Sequence, residues 1–104
     1  MLFRSIVRGG SNISPTEVEQ VLKTHPMVRD AAVFGIPDLT IGERVAALIE
    51  LNEDAGEEAL ANIALFCSAQ LADYKVPETL KAIRQIPRNA LGKIERRMMP
   101  ALLE

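Results

Sequence analysis

Tryptophan is absent, and only 4% of the residues are aromatic. A chain so poor in rings offers no stacking platform for nucleic-acid bases. An excess of one charge is missing as well. With 12 basic and 14 acidic residues the formal net charge is −2, which gives no general attraction to nucleic acid or anionic lipid. Cys67 is the single cysteine, so no internal disulfide can form, and a reducing, cytoplasmic setting is the expectation. His25 is the single histidine and has no cysteine or acidic cluster beside it, so no metal site is expected. No apolar run nears the roughly 20 residues that span a bilayer. Met1-Leu2-Phe3-Arg4-Ser5 lacks the basic start and apolar stretch of a signal peptide. The chain also begins almost inside its first predicted element, as a piece of a longer protein would.

What is present is the composition of a globular domain: 104 residues, 48% hydrophobic and 25% charged. One domain covering 1–104, with one modest core, is expected. Charge is segregated along it. Positions 50–73 hold six acids and no base, whereas positions 81–97 hold six bases and one acid. These are either two solvated faces or, at the basic end, a surface that meets phosphates.

Gly9-Gly10-Ser11-Asn12 between Ile6-Val7 and Ile13 predicts a tight hairpin, because Gly and Asn accept positive φ. Ser14, Pro15 and Glu17 predict a helix start with a reciprocal capping box. Val18, Val21 and Leu22 form the apolar face of that helix, and Glu19 and Lys23 are expected as an i,i+4 surface pair. Pro26 ends the helix, and His25 before it is expected to meet the last carbonyls. Positions 31–34 and 45–51 read as strands joined by a loop. Positions 57–72 read as a helix with Leu60, Ile63, Ala64, Cys67 and Leu71 inward, which makes Cys67 a buried, inert thiol. Positions 79–86 read as a third strand and 94–103 as a short basic helix. The class is α+β: a small sheet of about three strands flanked by helices, with an N-terminal hairpin.

Four stretches carry a resemblance. They are Gly9-Gly10-Ser11-Asn12-Ile13-Ser14-Pro15-Thr16-Glu17-Val18-Glu19, then His25-Pro26 with Ala31-Ala32-Val33-Phe34-Gly35-Ile36-Pro37-Asp38, then Tyr74-Lys75-Val76-Pro77, then Pro87-Arg88-Asn89-Ala90-Leu91-Gly92-Lys93. In this order they resemble the C-terminal domain of the adenylate-forming superfamily, which includes acyl-CoA synthetases, peptide-synthetase adenylation domains and luciferases. Gly10-Ser11-Asn12-Ile13-Ser14 looks more like the AMP-forming acyl-CoA synthetase branch, because peptide-synthetase domains usually carry a Gly-x-Arg-Ile-Glu type of segment there. The resemblance implies a swinging lid that serves a two-step reaction. ATP (with Mg2+) and a carboxylic acid give an acyl-adenylate and pyrophosphate, and CoA thiol then takes the acyl group and releases AMP. It implies a large N-terminal domain as partner, which holds the acyl pocket, and an isolated chain that is inactive. A freestanding module that binds pantetheine or a carrier protein is the second reading, and the same subdomain of a peptide synthetase is the third.

Lys93 matches the family's catalytic lysine. Its chemistry also stands alone, since a compact ammonium on a flexible stem can bridge a carboxylate and the phosphate it attacks. Gly9 and Gly10 match the loop that faces the pantetheine arm of CoA, where side chains would fill the channel. Arg8, Arg44 and Lys75 are candidate contacts to CoA phosphates. Glu17 is assigned to its helix cap, and Glu43 has no mechanistic role. The sequence departs from the pattern at the hinge, whose usual acidic residue or lysine would fall near Phe3 or Arg4 and is missing.

Overall fold

The computed structural model describes residues 5–103. The expected hinge position at Phe3 or Arg4 lies outside them. Strands β1 (Ile6–Arg8) and β2 (Ser11–Ile13) form the hairpin, and α1 (Pro15–Lys23) follows. Then come β3 (Val28–Asp38), β4 (Gly42–Leu51), α2 (Ala59–Gln70) and β5 (Thr79–Ala82). The expected three strands and the hairpin join in a single five-stranded sheet.

β4 is the hub of this sheet. Along one edge it pairs antiparallel with β3, from Val28 opposite Leu51 to Asp38 opposite Gly42. Its other edge is shared. β1 meets it at Arg8 opposite Gly42, and β5 runs parallel to it from Ala46 opposite Thr79 to Ile49 opposite Ala82. β3 is longer than its apolar stretch and continues through Gly35 and Pro37. Among the described residues its far edge carries no strand, and an edge strand tolerates a proline that cannot donate to the ladder.

The central strands are buried on both faces, so their sequences look uniformly apolar, yet the pleat sorts them by alternation. Ala31, Val33, Val45, Ala47 and Ile49 enter the core under the two helices, with Val18, Leu22, Ile63 and Cys67. Ala32, Phe34, Ala46 and Leu48 enter a second core on the opposite face. Among the described residues no long helix covers that face. The C-terminal segment lies across it through Ile86 and Met99, assisted by Ile83, Ile94, Leu102 and Leu103. The helix expected over 94–103 is therefore two short 3-10 turns, Arg96–Met98 and Pro100–Leu103. Pro100 cannot donate to an α-helical ladder.

Local corrections follow from side-chain partners. Ser14 Oγ accepts the Glu17 N–H at 3.2 Å, which is half of the expected capping box. The Glu17 carboxylate does not reach back, and instead accepts from Lys75 Nζ at 3.1 Å. Glu19 and Lys23 are not a surface pair. Glu19 is buried against Arg96, and Lys23 lies 3.5 Å from Asp30. The His25 ring leaves the helix carbonyls to its own backbone N–H, which donates to Leu22 O. Its Nδ1 accepts from the Met27 N–H at 3.0 Å, and its ring meets Phe66 edge to face at 5.1 Å. Cys67 is fully buried, and burial pushes its thiol pKa up.

Candidate functional site

The loop that carries Lys93 is organised by Asn89. This residue makes four hydrogen bonds: its side-chain oxygen accepts the Leu91 and Lys93 N–H groups, its carbonyl accepts Gly92 N–H, and its N–H donates to Lys93 O. A short amide side chain that bonds its own following backbone is the standard device of such turns. Gly92 closes the loop at φ +81°, in the left-handed region where a Cβ is penalised. Both backbone polar groups of Lys93 are thus satisfied, while its side chain is exposed. Among the described residues no carboxylate pairs with its ammonium.

The loop borders a shallow cleft lined by Lys93, Thr16, Glu19, Lys23, Arg88 and Arg96. Arg88 donates to Gly92 O at 3.0 Å and to the Asp30 carboxylate at 2.6 Å. Partial burial pushes the Asp30 carboxyl up, but the Arg88 hydrogen bond, the Ala31 N–H and the charges of Arg88 and Lys23 outweigh it. The net pKa lies below the ordinary aspartate value. Arg96 donates to Val33 O at 3.0 Å and to both oxygens of Glu19, at 2.8 and 2.9 Å. Glu19, 5% exposed, also accepts the Val33 N–H at 2.7 Å.

The glycine turn is built differently. Gly9 and Gly10 take φ of +56° and +86°, the two consecutive positive values of a type I′ hairpin turn. A methyl group at either position would meet nothing within 4 Å, so space around the turn is open and the glycines serve its backbone conformation. Gly9 N–H donates to Ile41 O at 2.7 Å, in the turn between β3 and β4. The Glu43 carboxylate accepts the Val7 N–H at 2.9 Å, which gives Glu43 a role in seating β1 on β4.

Arg8 and Arg44 converge on one carboxylate. Arg8 lies 3.4 Å and Arg44 2.8 Å from Glu78, and Arg44 also binds Asp38 at 2.6 Å. Lys75 stands apart from them, paired with Glu17. Of the residues singled out in the sequence, Arg8 and Arg44 are therefore gathered beside the glycine turn, and Lys93 belongs to another region. The anchors of the two loops lie at opposite ends of β3: Asp30 holds Arg88, and Asp38 holds Arg44 at the end that runs into the Ile41 turn. Eight residues of strand separate them, about 26 Å at ~3.3 Å per residue.

Sequence reasoning missed Asn89, Glu19, Arg96 and Glu78 as parts of these sites. Asn89 was legible, since an Asn four residues before a lysine and three before a glycine fits a side-chain-closed turn. The pairs Glu19–Arg96 and Arg44–Glu78 join positions 77 and 34 residues apart, and no local pattern announces them.

Residues 17–93 match the family described as AMP-binding enzyme C-terminal domain. The chain is 41% identical over 92 residues to a mitochondrial medium-chain acyl-CoA ligase of Danio rerio, covering 88% of this chain and 15% of that protein. It is 39% identical over 99 residues to 2-succinylbenzoate–CoA ligase of Bacillus thuringiensis, covering 95% of this chain and 20% of the relative. The crystal structure of an acyl-CoA synthetase from Brucella canis superposes with a TM-score of 0.83 at 32% identity, over 91% of this chain and 18% of that one. The chain thus spans between 15% and 20% of the length of these curated relatives. Among the described residues no helix is long and apolar enough to cross a membrane.

Proposed function

The chain belongs to the AMP-binding enzyme C-terminal domain family, and on that premise we propose that it is the mobile C-terminal domain of an AMP-forming acid–CoA ligase. The rest of that enzyme, a large N-terminal domain, binds ATP with Mg2+ and the carboxylic acid. In the first step a carboxylate oxygen attacks the α-phosphorus of ATP, an acyl–O–P bond forms, and pyrophosphate leaves. Two anions must approach, and Lys93 offsets their repulsion. An ammonium about 4 Å from an anion, in surroundings of effective dielectric near 20, contributes about 4 kcal/mol, close to 10³ in rate. In the second step the CoA sulfur attacks the acyl carbonyl and AMP departs. Gly9 and Gly10 then face the pantetheine arm, and Arg8 and Arg44 exchange Glu78 for CoA phosphate, with Lys75 as a further phosphate contact. Two sites anchored at opposite ends of one strand suit a lid that presents a different face in each step. The isolated chain is inactive, because its lysine has no substrate to act on.

One observation carries this reading: an exposed ammonium, with no carboxylate partner among the described residues, stands on a residue whose own backbone N–H and C=O are both hydrogen-bonded. The test is Lys93→Ala in the full-length protein, with the two half-reactions measured separately. Pyrophosphate release should fall by about 10²–10³, and conversion of supplied acyl-adenylate and CoA to thioester should persist. Pyrophosphate release at the wild-type rate would overturn the assignment.

A further inference from the structure

Lys93 stands between two arginines, five residues after Arg88 and three before Arg96. The chemistry proposed for the lysine uses neither. Their hydrogen bonds turn inward: Arg88 ties the carbonyl of Gly92, the peptide directly before Lys93, to Asp30 at the start of β3. Arg96 ties the chain just after Lys93 to Val33 in mid-strand and to Glu19 on α1. The loop between them makes no ladder hydrogen bonds with the sheet. Ile94 packs on the second core just after Lys93, and the polar ties that place the loop on the domain are these two side chains.

We infer that Arg88 and Arg96 are positioning residues for Lys93, bracing its backbone against β3 and α1 so that only the lysine side chain moves. The inference rests on the adenylation role of Lys93. Lysine has a long flexible stem, so its ammonium is delivered accurately only if the Cα is fixed. A misplacement of about 1 Å costs on the order of 10² in rate. Both arginines have donors committed to the protein itself, which makes them part of the frame around the lysine.

Arg88 gives the cleaner variant, because its side chain is 37% exposed and its loss leaves no deeply buried charge. In the full-length protein, Arg88→Gln should lower kcat for pyrophosphate release by about 10- to 100-fold, with the KM for ATP held within about threefold. Thioester formation from supplied acyl-adenylate should persist. Arg96→Lys, which keeps a cation beside Glu19 but loses the two-point grip on Val33 and Glu19, should act in the same direction. The decisive measurement places Arg88→Gln on Lys93→Ala. A residue that acts through Lys93 adds no further loss once the lysine is gone, whereas a general structural defect adds its full effect. Wild-type adenylation by Arg88→Gln, or full additivity with Lys93→Ala, would overturn the inference while the lysine's role stands. A harmless Lys93→Ala would instead remove the functional reading beneath it.

Discussion

The two candidate loops solve the same problem by different means. Each offers an exposed backbone at the edge of the domain, and each turns on glycine at positive φ. The Gly9-Gly10 turn is held by main chain: three residue pairs join β1 to β2, and Gly9 N–H reaches Ile41 O. The Asn89–Lys93 loop is held by side chains, namely the Asn89 amide, the Arg88 bridge and the Arg96–Glu19 pair. A loop held by main chain should be sensitive at its glycines and indifferent to most side-chain changes nearby. One held by side chains should fail through residues far away in sequence. The contrast fits the tasks proposed for them. A channel wall for a thin pantetheine arm needs bare backbone, whereas an ammonium must be aimed.

The largest effect expected away from Lys93 itself is on the side-chain frame, through Glu19. Glu19→Ala leaves a buried Val33 N–H without its acceptor and the Arg96 guanidinium without its counter-ion. Breaking a buried, hydrogen-bonded pair from one side costs about 3 kcal/mol. Urea denaturation of the isolated domain should show that loss as a lower midpoint with an unchanged slope. A change under about 0.5 kcal/mol, the range of ordinary surface substitutions, would mean that α1 and the C-terminal segment hold together without the pair.

A smaller loss is expected from the main-chain loop. At Gly10, with φ +86°, an added β-carbon meets nothing within 4 Å, but valine suffers the left-handed backbone penalty of about 1–2 kcal/mol. In the full-length protein Gly10→Val should slow thioester formation more than pyrophosphate release. Gly10→Asn, which tolerates the conformation better, should recover most of the stability and less of the thioester rate. Equal slowing of both half-reactions by Gly10→Val would show that the turn serves only the fold, and the contrast between the loops would lose its functional half.

What the sequence announced was the part governed by neighbours along the chain. The hairpin followed from Gly9-Gly10 and the cap from Ser14, whereas the single core expected is in fact two, because strands that read as unbroken apolar runs are buried on both faces. What it concealed was set by distant partners. Glu19 and Lys23 have the right spacing for a surface pair, but each finds a better partner brought in by the sheet: Arg96 for one and Asp30 for the other. The basic stretch 94–103 has a fair helical pattern, yet it must lie over the face lined by Phe34 and Leu48, and Pro100 interrupts the ladder. At Lys93 the motif singled out a candidate residue and left the frame around it invisible. Arg88 and Arg96 read as part of a basic stretch, either solvated or facing phosphates, until β3 supplies Asp30 and Val33.

The smallest effect is electrostatic and tests whether Arg88 is truly engaged. Partial burial alone would raise the Asp30 carboxyl, but Arg88, the Ala31 N–H and Lys23 hold it below the reference value of 3.8. A carboxyl depressed in the folded state binds its proton more weakly there than in the unfolded chain. Its stabilising contribution is therefore complete well above pH 3.8, begins to fade near that value, and is gone once pH has fallen through the folded pKa. Asp30→Asn removes the titration, so the stability of the variant should fall less steeply on acidification than that of the wild type. The gap should be widest near neutral pH and close toward strong acid. Because the pair is partly exposed, that gap should be below about 1 kcal/mol and should shrink in high salt. Parallel acid limbs for the two proteins would mean that Asp30 has no depressed pKa to lose, and that the tie from Arg88 to β3 through Asp30 is weak.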